Sequence, residues 1–246
     1  MKFIVKEIEI GYEKPLLNRP VNIEINSGKL IALIGKNGSG KSTLLKTLSG
    51  ILKPLKGQLY IDEILLNNPK IFSQNISIVL NEKPLHSLGV DEVLSMGRIP
   101  YTNILQTLKT NDLEIINNIV NTLNISHLLN KKINQISDGE RQIIMIARAL
   151  IQDTPVLLLD EPTTHLDLEN KARLLKLLKE ISKNKIVVFS THDINLISNL
   201  VDNFWIIKNN KFIAIEDKKE LKKELSHLFM SKNLIFDEKE DVFRIV

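Results

Sequence analysis

Residues 35 to 42, Gly-Lys-Asn-Gly-Ser-Gly-Lys-Ser, set three glycines, a lysine and a serine hydroxyl in the spacing G-x-x-x-x-G-K-[ST]. That spacing suits one task, the wrapping of backbone N–H groups around a polyanion. Gly35, Gly38 and Gly40 let the chain curl so that several N–H groups converge, and a helix starting there adds its partial positive charge. Gly35, Lys36, Asn37, Gly38, Ser39, Gly40, Lys41, Ser42 and Thr43 are therefore the candidate nucleotide-binding segment. Lys41 would reach the β and γ phosphates, and Ser42 would offer its hydroxyl to Mg²⁺.

Phosphate chemistry needs a metal carboxylate and a group that orients water. "VLLLDEP" (156–162) supplies two acids in succession after an apolar run. Asp160 is the candidate Mg²⁺ carboxylate, and Glu161 the candidate general base for attack of water on the γ-phosphate. The competing reading has both acids capping the next segment or exposed at a sheet edge. A second candidate anion site is "ISDGERQ" (136–142). Ser137 and Glu140 form S-x-x-E, a capping box, ahead of the apolar face Ile143, Ile144, Ala147 and Leu150. A capped helix start with a serine and Gly139 also attracts anions, and the sequence leaves open whose phosphate it serves.

These residues need a scaffold. "KFIVKEIEI" (2–10) alternates as a strand, with Ile8 and Ile10 set against Glu7 and Glu9. "KLIALIG" (29–35) reads as a strand buried on both faces, and "STLLKTLSG" as a helix ended by Gly50. From about Asn81 to Asp153 the pattern is helical pieces broken by Pro84, Gly89, Gly97 and Pro100. "PVLLLDEP" and "KIVVFSTHD" (185–193) are buried strands, with the amphipathic helix 168–183 between them. Strands alternating with helices predict a parallel α/β sheet. After a helix-like "INLISNLV", the two runs of "NFWIIKNNKFIAIE" pair as a hairpin about Asn209-Asn210. An amphipathic helix and a last hairpin close the chain.

The 246 residues, 43% hydrophobic and 25% charged, are ordinary for one globular domain. The net charge of +4 is spread without a basic stripe, so nucleic acid is not the expected partner. The absence of cysteine excludes disulfides and thiolate chemistry. No run of about 18 apolar residues exists to span a membrane. Lys6 and Glu7 interrupt the start before a signal-peptide core forms, so a cytoplasmic protein is expected.

The order of "GKNGSGKS", "ISDGERQ", "VLLLDEP", "THLD" (164–167) and "STHD" (190–193) resembles that of ABC ATPase subunits over roughly the first 215 residues. The resemblance implies a P-loop NTPase (RecA-like) α/β core with an antiparallel β subdomain and an inserted α-helical subdomain at about 82–153. The chain would be one domain, 1–246, with a C-terminal extension from about 216. It also implies a head-to-tail homodimer in which Ser137, Gly139 and Glu140 serve the nucleotide of the opposite copy. Tyr12 resembles the aromatic that stacks on adenine, and His192 the switch histidine that contacts the γ-phosphate, so that Glu161 and His192 are the candidate catalytic residues. Asp167 would lie in the loop that crosses to the partner.

Two departures are specific to this chain. Asp138 and Glu140 replace a glycine and a glutamine of the family's L-S-G-G-Q. Asn81 stands where a glutamine would contact Mg²⁺ or the attacking water, with Glu82 as an alternative ligand. "VDEVLSMGRIPYTN" (90–103) and "PTTHLD" resemble importer ATPases for ferric siderophores, haem and cobalamin. That implies docking on integral membrane permease subunits, with a periplasmic or surface substrate-binding protein acting indirectly, and a peripheral place on the inner face of the membrane. The bland alternative for 90–103 is a plain helix closed by Gly97 with Arg98 in solvent. Rival functions are an export or lipoprotein-extraction ATPase, a soluble nucleotide-gated clamp, and a module that holds ATP without hydrolysing it.

Overall fold

The computed structural model describes residues 1–81, 87–102, 107–197, 199–229, 234–237 and 242–245. Its strands are β1 (Lys2–Glu9), β2 (Val21–Asn26), β3 (Lys29–Gly35), β4 (Lys56–Ile61), β5 (Ile64–Leu65), β6 (Ile76–Val79), β7 (Val156–Leu159), β8 (Ile186–Ser190), β9 (Asn203–Lys208), β10 (Lys211–Ile215), β11 (Leu234–Asp237) and β12 (Val242–Ile245). The α-helices are α1 (Lys41–Leu48), α2 (Pro69–Asn75), α3 (Val90–Ser95), α4 (Thr110–Thr122), α5 (Asp138–Ile151), α6 (Leu168–Ser182), α7 (Ile194–Ile197) and α8 (Lys218–Phe229).

The main sheet has the order β10-β9-β3-β8-β7-β6 and is parallel except for the edge strand β10. Alternate residues of its central strands feed two cores. Leu30, Ala32, Ile34, Leu157, Leu159, Val187 and Phe189 pack with α5, α6 and α8. Ile31, Leu33, Leu158, Val188 and Trp205 pack with α1 and a second sheet, β2-β1-β4-β5. Burial on both faces is why these strands read as unbroken apolar runs. A third core, including Val93, Leu94, Val120, Ile144 and Ala147, belongs to the helices between β6 and β7. The α/β core, the antiparallel sheet and the helical insertion are all present.

The first strand is less regular than its pattern. Phe3 and Val5 are buried, then Ile8 and Ile10, so the inward phase slips by one residue. The slip is a β-bulge between Val5 and Ile8, where Glu7 takes a φ of 51° and its N–H donates to Asn22 Oδ1 at 2.9 Å. At the other end, Asn209 and Asn210 both have positive φ, 49° and 56°, as a two-residue hairpin turn requires. Of the expected helix at 194–201, α7 covers Ile194–Ile197, and residues 199–200 form a turn.

Gly97 does not close a helix, and Arg98 is not in solvent. At Met96 the helix tightens into a 3-10 segment, Met96–Tyr101. A Cβ on Gly97 would lie 2.5 Å from the Arg148 carbonyl, so only glycine lets this segment lie against α5. Arg98 is buried: its Nε donates to Asp112 Oδ1 at 2.8 Å, its Nη1 to the Ile151 carbonyl at 3.0 Å, and its guanidinium lies over Tyr101. Glu82, Pro84 and Asn103 lie outside the described residues.

Candidate active site

The three central strands end side by side, and each delivers part of one site. Parallel registry sets Leu33 of β3 beside Ser190 of β8, and Leu159 of β7 beside Phe189. The next residues along are therefore the glycine loop, the Asp160–Glu161 pair and Thr191–His192, at the carboxyl edge where open α/β sheets bind ligands.

In the loop, Gly38 and Gly40 have φ of 75° and 104°, and α1 starts at Lys41. Lys41 is 6% exposed, and its Nζ donates to the carbonyls of Gly35 at 2.9 Å and Lys36 at 3.4 Å. Burial lowers the Lys41 pKa from its ordinary value, while the nearby carboxylates of Glu161 and Asp160 act the other way. Among the described residues the buried Ser39 hydroxyl has no partner, and none comes within 4 Å of where a Cβ on Gly38 would stand. Ser42, Lys36 and Asn37 are exposed. A buried cation held by carbonyls, beside a hydroxyl with no partner among the described residues, fits a phosphate chain.

Asp160 is buried, which overturns the reading of the acid pair as exposed edge residues. Its Oδ1 accepts the Ser190 hydroxyl at 2.6 Å, and its N–H donates to the Val79 carbonyl at 2.8 Å. Glu161 sits at φ 51°, in the left-handed region, with its N–H donating to Ser190 Oγ at 2.8 Å. That turn carries its carboxylate to His192, where Oε1 and Nε2 share a hydrogen bond of 2.5 Å. Asn81, exposed, follows Val79 by two residues and so enters from the same edge.

Tyr12 is 67% exposed and so is not a packing residue. Its neighbours Ile10 and Leu16 approach Gly40, their δ carbons 3.8 and 3.6 Å from where its Cβ would stand. The Tyr12 loop thus borders the glycine loop. Asp167 caps α6, its carboxylate accepting the Asn170 N–H at 2.8 Å.

Ser137, Gly139 and Glu140 are placed differently. The Ser137 N–H and hydroxyl both donate to Glu140 Oε2 at 2.8 Å, and Glu140 N–H returns a bond to Ser137 Oγ. The expected capping box is formed, and those donors hold the Glu140 carboxyl below its usual pKa. Asp138 pairs with Arg141 at 2.6 Å, so neither acid of the departure is left bare. A Cβ on Gly139 would lie 3.4 Å from Leu166 Cδ2 and 3.5 Å from the His165 carbonyl. The start of α5 thus borders the 165–166 loop.

Four residues that sequence reasoning did not single out belong to the network. Asp193 Oδ2 accepts Lys171 Nζ at 2.8 Å and Thr163 Oγ1 at 3.3 Å, which ties the His192 segment to α6 and to the turn after Glu161. Ser190 joins Asp160 to Glu161. Ser190 and Asp193 stand in the quoted "STHD" string, whereas nothing in the sequence marks Lys171.

The chain is similar to known proteins in sequence and in fold. The family model described as "ABC transporter" matches residues 18–164. The uncharacterized ABC transporter ATP-binding protein MJ0873 of Methanocaldococcus jannaschii is 41% identical over 215 residues, covering 85% of this chain and 74% of the relative. The achromobactin transport ATP-binding protein CbrD of Dickeya dadantii is 34% identical, covering 85% and 80%. Among solved structures, an inward-facing metal-chelate-type ABC transporter superposes with TM-score 0.78 at 28% identity, over 98% of this chain and 94% of that one. The dimeric post-hydrolysis cassette MJ0796 with ADP and Pi gives 0.76 at 26%, over 87% and 98%. With the glycine loop and the acid pair both inside the matched span, the chain belongs to the ABC transporter family as an ATP-binding, ATP-hydrolysing subunit.

Proposed function

We propose that this chain drives import of an iron chelate (siderophore), haem or cobalamin, working as a head-to-tail homodimer on membrane permease subunits. One observation carries the reading. Lys41, Asp160, Glu161 and His192 meet at one sheet edge, while Ser137 and Gly139 stand at the start of α5 beside the 165–166 loop, and in this reading each copy holds half of a pocket that a second copy completes. The cargo class rests on the relatives: CbrD is named for achromobactin transport, and the structural neighbour is of metal-chelate type.

In the proposed reaction, water attacks the γ-phosphorus and ADP leaves. Glu161 takes the proton of that water, and His192 holds the Glu161 carboxylate in place and meets the γ-phosphate. Lys41 exchanges its two carbonyl partners for phosphate oxygens. Ser137 gives up Glu140 Oε2 to donate to the partner's nucleotide, with the N-terminus of α5 behind it. Ser42, Asp160 and Asn81 are oxygen donors, the type Mg²⁺ takes, and Mg²⁺ when bound would neutralise phosphate charge. Among the described residues no helix is long and apolar enough to cross a membrane. The permease would hold the subunit peripherally on the inner face, and a substrate-binding protein outside would deliver cargo. A groove of about 320 Å³ between the core and the helical insertion, lined by Ile51, Phe72, Met96, Arg148 and Gln152, is the surface offered to the permease.

Tyr12→Ala is expected to weaken ATP binding about tenfold, within the range of base–aromatic stacking, and to leave tripolyphosphate binding unchanged. Equal losses for both ligands would remove Tyr12 from the adenine. The import reading is tested by copurifying the tagged chain with a multi-span permease and measuring ATP-dependent uptake of a ferric siderophore, haem and cobalamin in vesicles. Export by that complex, or no uptake of any of the three, would overturn it.

A further inference from the structure

Ser190 is fully buried at the end of β8, with the glycine-loop strand β3 on one side and β7 on the other. Its hydroxyl makes two bonds of opposite sense. It donates to Asp160 Oδ1 at 2.6 Å and accepts the Glu161 N–H at 2.8 Å. The first is a charge-assisted bond, and it fixes the rotation of the Asp160 carboxylate. The second pins the peptide of a non-glycine residue in the left-handed region, a conformation that persists only where its surroundings hold it. That conformation in turn sends the Glu161 side chain to His192. Among side chains of this size, only a hydroxyl both donates and accepts in this way.

We infer that Ser190 is the positioning residue of the hydrolytic centre, setting with one hydroxyl both the metal-facing Asp160 oxygen and the water-facing Glu161 carboxylate. This rests on the roles proposed above for Asp160 and Glu161. Residues that orient metal ligands typically account for about 10- to 100-fold in metal affinity or activity.

Ser190→Ala is expected to raise the Mg²⁺ concentration needed for half-maximal ATP hydrolysis by about 10- to 100-fold and to lower kcat as well. The second readout is equilibrium binding of trinitrophenyl-ATP to the full chain. In EDTA its affinity should match the wild type within about twofold, whereas the Mg²⁺-dependent gain in affinity should require the same higher Mg²⁺ concentration as hydrolysis. Ser190→Thr, which keeps the hydroxyl, should restore the wild-type Mg²⁺ dependence. A merely structural role would lower nucleotide binding with and without Mg²⁺ alike. Should Ser190→Ala not fold, Ser190→Cys, close in volume but a weak donor, is measured in the same way. A wild-type Mg²⁺ curve in the alanine or cysteine variant overturns the inference. That failure would leave the reading of Glu161 standing, because Glu161→Gln tests it separately.

Discussion

Glu161→Gln should bind ATP as tightly as the wild type and hydrolyse it at least about 10²-fold more slowly, the lower end of general-base losses. The substitution is nearly isosteric. Its amide oxygen can still meet His192 Nε2, which bonds Oε1 in the wild type, and its N–H can still donate to Ser190 Oγ at the same left-handed turn. Lys41 keeps its place against the phosphate loop. What is lost is a carboxylate able to take a proton from water. The variant should therefore accumulate with nucleotide bound, and light scattering with MgATP should show two chains. Phosphate release at near-wild-type rate in the presence of the permease would remove Glu161 from its role. A strictly monomeric, nucleotide-loaded variant would remove the composite site instead.

The residues that could be read in advance are those whose chemistry or burial leaves one pattern. β3, β7 and β8 are apolar without interruption because each lies between two cores, and the loops at their ends carry motifs that make sense only at a strand terminus. The capping box at Ser137 was legible for the same reason, being a local arrangement within four residues. The stretch 51–80 was not. Its strands β4, β5 and β6 are short, and β4 is exposed over its first half, so they are defined by pairing: β4 with β1, β5 with β4 and β6 with β7. The phase slip at Glu7 was hidden because a bulge exchanges inside for outside without changing composition. Ser190 and Lys171 escaped notice because a serine in a buried strand and a lysine on a helix acquire meaning only from Asp160 and Asp193, far away in the chain.

Arg98→Ala is expected to cost about 3–5 kcal/mol of unfolding free energy, the range for removing one partner of a buried ion pair. Arg98 and Asp112 side chains are each 7% exposed, so solvent cannot replace the lost contact. The change also frees the Ile151 carbonyl and uncovers Tyr101, and with them the tie between the 3-10 segment, α4 and α5. Urea unfolding followed by circular dichroism measures it; a loss below about 1 kcal/mol would place the pair among surface ion pairs. Replacing both partners, Arg98→Met with Asp112→Leu, should recover much of the loss, since most of the single-variant penalty is the stranded charge. The pH dependence separates the two causes. The Lys109 N–H, followed by Arg98, holds the Asp112 carboxyl below its ordinary value of 3.8 against the opposing effect of burial. A depressed carboxylate stabilises the fold above the unfolded-state pKa, and that contribution fades as pH falls through the folded one. The gap between wild type and Arg98→Ala should therefore be full near neutrality and shrink below about pH 4. A gap that stayed constant into acid would assign the loss to the stacking of the guanidinium on Tyr101 and its bond to the Ile151 carbonyl, and not to the pair with Asp112.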